Sequence, residues 1–164
     1  MPQIIRAETD EQFTTAGSLF EEYAASLGVS LCFQNFDEEL KTLAQQYGAP
    51  DGCLLLAYEA AQAIGCVALR KLDTATGEMK RLYVKPQFRH LKIGKLLVAS
   101  IIEEARQRSY RAMRLDTLPS MTTAQRLYAA FGFREIPSYT HNPIAGTVFM
   151  ELQLSDSNIT FSAR

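Results

Sequence analysis

The chain has 164 residues, 47% of them hydrophobic, and 17 Lys and Arg face 18 Asp and Glu for a formal net charge of −1. That length fits one domain with its own core, read here as spanning 1–164, and the near-balance of charge excludes a global basic field for nucleic acid. The longest apolar runs, such as Cys53–Tyr58, are too short for a membrane span, and Met1-Pro2-Gln3-Ile4-Ile5-Arg6 lacks the pattern of a signal peptide. Three cysteines (Cys32, Cys53 and Cys66) without zinc spacing suit a reducing cytoplasm.

Ile4–Ala7 reads as a first strand. Thr9-Asp10-Glu11-Gln12 has the form of a capping box, and Phe13, Ala16, Phe20, Tyr23, Ala24 and Leu27 then recur at helical spacing. A second helix is expected from Asp37, with Leu40, Leu43, Ala44 and Tyr47 on one face and a stop at Gly48-Ala49-Pro50. Cys53–Tyr58, Gln62–Leu72 and Glu78–Val84 read as strands whose short links favour antiparallel pairing, with Gly65 marking a bulge. A long helix opens near Lys92 and carries Ile93, Leu97, Ile101 and Ala105 inward. It crosses to a strand over Arg111–Thr117, a connection long enough for parallel pairing. Thr122-Thr123-Ala124-Gln125 has the form of another capping box, and Gly132 is a natural helix stop. Phe133–Ile136 and Gly146–Leu154 form a last strand pair around a loop over Pro137–Ala145, and Ser155–Arg164 reads as a frayed tail. The order β-α-α-β-β-β-α-β-α-β-β implies an α/β (α+β) fold, with a mixed, largely antiparallel sheet of about seven strands and helices on both faces.

One stretch carries chemistry. A strand ends near Pro86, then Arg89-His90-Leu91-Lys92-Ile93-Gly94-Lys95 leads into an amphipathic helix. Helix starts offer unpaired N–H groups and partial positive charge to phosphate, Gly94 allows close approach, and Arg89, Lys92 and Lys95 add cations. The same residues also serve as an ordinary helix start with solvated basic side chains. A nucleotide P-loop needs Gly-Lys-Ser/Thr, and here Leu96 follows Gly94-Lys95.

These residues resemble the cofactor motif of the GNAT-type N-acetyltransferases at Leu82-Tyr83-Val84-x-Pro86 and Arg89-x-x-Lys92-x-Gly94, with Lys92 standing for the family's first glycine. A second family motif, Ala-x-x-Leu-Tyr-x-x-x-Gly-Phe, is matched by Ala124, Leu127, Tyr128, Gly132 and Phe133. The resemblance covers residues 53–153 and implies the acyl-CoA N-acyltransferase fold.

It further implies acetyl-CoA as co-substrate and transfer to a primary amine by direct attack in a ternary complex. The coenzyme would be held by Leu82, Tyr83, Val84, Arg89, His90, Leu91, Lys92, Ile93, Gly94, Lys95, Thr117, Ala124 and Tyr128. Met121 stands where the family often has Asn, which leaves Ser120 or Thr122 to touch the pantetheine arm. By the same resemblance, Tyr128 protonates the departing thiolate and Glu78 is the base, acting through water. Read from the residues alone, Tyr128 is equally a core tyrosine and Glu78 a surface carboxylate.

Phe33, Phe36, Tyr139 and His141 are candidates for the acceptor pocket. No clustered ligands suggest a metal. A small-molecule amine or a peptide is the expected partner, with no nucleic acid and no membrane, and dimers are common in the resembled family. A non-catalytic coenzyme-A-binding regulatory module is the alternative.

Overall fold

A computed structural model describes residues 2–28 and 35–154. The strands are β1 (Gln3–Arg6), β2 (Cys53–Glu59), β3 (Gln62–Lys71), β4 (Thr76–Val84), β5 (Ala112–Thr117), β6 (Arg134–Ile136) and β7 (Val148–Gln153). They form one sheet in the order β1-β2-β3-β4-β5-β7-β6, with β4–β5 its parallel pair. The helices are α1 (Asp10–Leu27), α2 (Phe36–Lys41), α3 (Leu43–Tyr47), α4 (Ile93–Gln107) and α5 (Thr122–Ala130). The mixed seven-stranded sheet is therefore as the element order implies, with strand ends differing by a residue or two from those expected.

Alternation along each strand feeds two cores. Leu55, Val67, Leu69, Met79, Met113 and Leu115 face α4 and α5. Leu54, Leu56, Cys66 and Ala68 face α1 and α3, meeting Leu19, Phe20 and Tyr47. In α4, Ile93, Leu97, Val98, Ile101 and Ala105 are fully buried, so this helix is fixed by packing rather than by propensity.

Thr9 caps α1 in a capping box: its side chain accepts from Gln12 N–H, and the Gln12 side chain accepts from Thr9 N–H. The second expected box does not form. The residue before α5 is Met121, without a side-chain cap, and the Gln125 amide donates instead to Leu118 O at 2.8 Å. The expected second helix is divided. Thr42 leaves helical geometry (φ −129°, ψ 34°), its hydroxyl donates to Glu38 O, and α2 and α3 result. Asparagine, serine and threonine side chains compete for the backbone in this way. The bulge expected at Gly65 lies beside it, where the β2–β3 register shifts between Ala57 and Tyr58.

Candidate active site

The site is a gap in the middle of the sheet. β4 and β5 hydrogen-bond at Thr76↔Ala112, Gly77↔Met113 and Glu78↔Arg114. Beyond that point β4 stays with β3, and β5 stays with β7 as far as Thr117. The separation coincides with a second bulge: between Cys66↔Tyr83 and Ala68↔Lys80, β4 carries one more residue than β3. Arg81, inside it, has φ 61°. Such bulges bend and twist the strand that carries them.

The bulge is anchored from α2. Arg81 Nη2 donates to Glu39 Oε1 (2.7 Å) and Nε to Oε2 (3.0 Å), and Tyr47 O–H donates to the same Oε2 (2.8 Å). Glu39 and Arg81 are both buried. Burial pushes the Glu39 carboxyl upward, but the Arg81 hydrogen bonds and charge more than offset it, and Glu39 titrates below its ordinary value. Phe36 lies against Arg81, its ring centroid 5.4 Å from the guanidinium carbon.

The gap is lined by Met79, Lys80, Leu115, Asp116, Tyr128 and Asn142 among others. Tyr128 is both core and cleft. Its ring packs on Phe133 at 5.8 Å, its hydroxyl makes no hydrogen bond among the described residues, and burial pushes its phenol far up, so it stays protonated. Thr117, at the end of β5, keeps a buried hydroxyl that has no partner among the described residues.

Glu78 is buried rather than on the surface. Its Oε1 accepts from Arg70 Nε (2.8 Å) and its Oε2 from Tyr139 O–H (2.6 Å). Burial raises the Glu78 carboxyl, yet the Lys80 and Arg70 charges and these hydrogen bonds bring it below its ordinary value. Tyr139 is pushed far up, by burial first and then by Glu78.

At the mouth, Pro86–Leu91 forms a 3-10 turn and Lys92 adopts φ 59°, ψ 32° before α4 begins. Lys92 is thus left-handed rather than the first residue of the helix, in a conformation that glycine adopts most readily. Among the described residues, the amides of Ile93, Gly94 and Lys95 meet no acceptor, the first intrahelical donor being Leu96 to Lys92 O. They form an open anion seat, with Lys92 and Lys95 exposed beside it. The Ile93 side chain is fully buried, so only its amide can serve a ligand. Arg89 Nε is bound to Val84 O (3.0 Å), which ties the turn to the end of β4.

Other expected contacts divide by place. Leu82 and Tyr128 line the gap, and Met121, Ser120, Thr122 and Ala124 sit at the start of α5. The Tyr83 side chain points to α1, its ring 6.1 Å from Tyr23 and its hydroxyl donating to Glu22. His90 and His141 are exposed, and Phe33 lies outside the described residues. Cys53 and Cys66 are buried thiols, and burial pushes Cys53 up to about 12. Sequence reasoning missed Glu39, Arg70, Lys80, Arg114 and Asp116. A charged residue on alternate positions of a buried strand (Glu78, Lys80; Arg114, Asp116) is the signal that marks Lys80, Arg114 and Asp116, while Glu39 on α2 and Arg70 on β3 carry no such signal.

The model of the acetyltransferase (GNAT) family matches residues 17–133. An uncharacterized N-acetyltransferase of Schizosaccharomyces pombe is 45% identical over 139 residues, covering 84% of this chain and 85% of that protein. An acetyltransferase of Streptococcus agalactiae superposes with a TM-score of 0.78 at 19% identity, over 93% of this chain and 98% of the other. The PaiA N-acetyltransferase of Thermoplasma acidophilum, solved with coenzyme A, superposes with a TM-score of 0.72 at 19% identity over 93% and 99% of the two chains.

Proposed function

Because the chain belongs to the GNAT acetyltransferase family, we propose that this N-acetyltransferase moves an acetyl group from acetyl-CoA to a primary amine by direct attack within a ternary complex. The observation that carries the reading is the open anion seat at Ile93–Lys95 standing at the mouth of the β4–β5 gap. A pyrophosphate at the seat leaves a thioester arm free to enter the gap. Acetyl-CoA supplies an acyl carbon whose sulfur is a good leaving group.

The chain's residues then divide the work. The amides of Ile93, Gly94 and Lys95, with the Lys92 and Lys95 charges, hold pyrophosphate. The β4 backbone near Val84 lies along the arm and polarises the acyl carbonyl, the kind of contact whose loss costs about 3 kcal/mol in acyl transfer. The amine nitrogen forms a bond to the acyl carbon as the carbon–sulfur bond breaks. Tyr128 gives its proton to the sulfur, and the ionised Glu78 takes the amine's proton. That proton reaches Glu78 through water, while the Tyr139 hydroxyl on Oε2 and Arg70 on Oε1 hold the carboxylate in place. The buried, high-lying thiols Cys53 and Cys66 favour direct attack over a covalent acyl-enzyme.

The test is release of free thiol from acetyl-CoA against a panel of amines, amino acids and peptides. Turnover with one class of amine supports the reading. Calorimetric binding of acetyl-CoA with no consumption across the panel would replace it with a non-catalytic coenzyme-A-binding module.

A further inference from the structure

The gap carries more charge than acyl transfer uses. Three guanidinium groups around it each have a carboxylate of their own: Arg81 with Glu39 (2.7 Å), Arg70 with Glu78 (2.8 Å) and Arg114 with Glu151 (2.7 Å). Two charged groups are left over. The Lys80 amine makes no hydrogen bond or ion pair among the described residues, and the Asp116 carboxylate has only a long contact from the Asn142 amide at 3.4 Å. Both line the gap together with Tyr128.

Their position follows from the strand register. Glu78↔Arg114 is the last ladder pair of β4 and β5. Lys80 and Asp116 lie two residues further along each strand, hence on the same face as that pair. In a continuous sheet they would stand side by side as a neutralised cross-strand pair. Because the strands part there, a space opens between a cation and an anion that do not reach one another. Burial leaves the Lys80 amine below its ordinary value, with Arg81 and Arg70 adding to the depression, while the Glu78 charge, next in weight after burial, and the Asp116 charge act the other way without reversing it. An unpartnered cation in such surroundings is costly until a counter-charge arrives.

We propose that the acceptor is a zwitterion, a free amino acid whose carboxylate is held by Lys80 and whose ammonium group is received beside Asp116. This rests on the acyltransferase reading and names its substrate class. A free α- or β-amino acid carries both charges within a few atoms, and Lys80 and Asp116 line one gap, two residues past the last β4–β5 ladder pair on each strand. A polyamine or a simple alkylamine offers no charge for Lys80. A peptide offers its N-terminus to Asp116 but carries its terminal carboxylate too far away.

The experiment compares kcat/KM for thiol release with alanine, β-alanine and aspartate against their amides and against alkylamines of matched length, at saturating acetyl-CoA. The acids are expected to exceed their amides by roughly tenfold or more, the scale of one charge-assisted hydrogen bond. Lys80→Met should collapse that ratio to roughly twofold or less, and Lys80→Arg should restore a large part of it. Calorimetric affinity for acetyl-CoA reports that each variant is folded. Amides or alkylamines used as well as acids would overturn the inference alone, as would Lys80→Met lowering acids and amides in equal proportion. Absence of thiol release from every amine would overturn the acyltransferase reading and the inference with it.

Discussion

Lys92 occupies a left-handed backbone (φ 59°) where an L residue pays about 1 kcal/mol that glycine does not. Lys92→Gly relieves that strain but gives the unfolded chain more freedom, so net stability should change by less than about 1 kcal/mol. Its coenzyme A affinity should fall roughly three- to fivefold at low salt, with the difference shrinking as salt rises, because an exposed charge is screened. Titration calorimetry at two ionic strengths checks this, and unchanged affinity would remove the lysine's charge from the seat. Gly94 differs in kind. A Cβ there would meet only Leu127 Cδ2, at an ordinary 3.7 Å, so the fold itself does not demand glycine. Tyr128 is the other residue whose removal is clean. Phe keeps the ring against Phe133 and deletes only the hydroxyl, so Tyr128→Phe should lower kcat roughly tenfold with little change in KM for acetyl-CoA. Unchanged turnover would end the acid assignment.

At the scale of elements, the decisive contact joins α2 to the β4 bulge. Glu39 neutralises Arg81 with two hydrogen bonds and receives a third from Tyr47 in α3. Breaking a buried pair from one side strands the other charge, so Glu39→Gln should cost about 3 kcal/mol or more in urea unfolding. A cost near zero would mean that water reaches Arg81. Much of the element plan was legible. The α1 capping box, the α4 stripe and the parallel crossover all rest on local pattern, and local pattern decides them. The α5 box was not, because Gln125 found the Leu118 carbonyl, a partner set by the chain's route out of β5. Nor was the division into α2 and α3, where the spacing of Leu40, Leu43, Ala44 and Tyr47 stays helical while the Thr42 hydroxyl breaks the backbone. In the candidate site, the turn into α4 and the helix α5 were legible, because their motifs at 89–95 and 124–133 run along the chain. The Arg70–Glu78–Tyr139 chain and the Lys80–Asp116 gap were not, since their partners lie 8 to 61 residues apart and meet only through sheet register.

For the whole molecule, the buried carboxylates set the response to acid. Glu39 and Glu78 both titrate below the ordinary 4.5 in the folded protein. A depressed folded pKa means that their contribution is complete above that value and is lost as pH falls through the lower folded one. Urea midpoints should therefore be nearly flat from about pH 7 to 5 and drop steeply below about 4.5. Glu39→Gln should be less stable at neutral pH and lose less on acidification. A midpoint that declines evenly from neutrality would assign acid sensitivity to other groups. Among the described residues no helix is long and apolar enough to cross a membrane.

The parting of β4 from β5 also gives this sheet an unusual exchange behaviour with deuterated solvent. Central strands are normally the slowest places in a protein to trade amide hydrogens, because both sides of each strand are bonded. Here the two innermost strands each keep one unbonded side beyond Glu78 and Arg114. The gap-facing amides of Lys80–Val84 and Leu115–Thr117 should exchange at rates more typical of loops, while their neighbours one residue away stay protected. Bound acetyl-CoA should slow that inner set selectively, so mass-resolved labelling can watch the middle of the sheet close around its ligand.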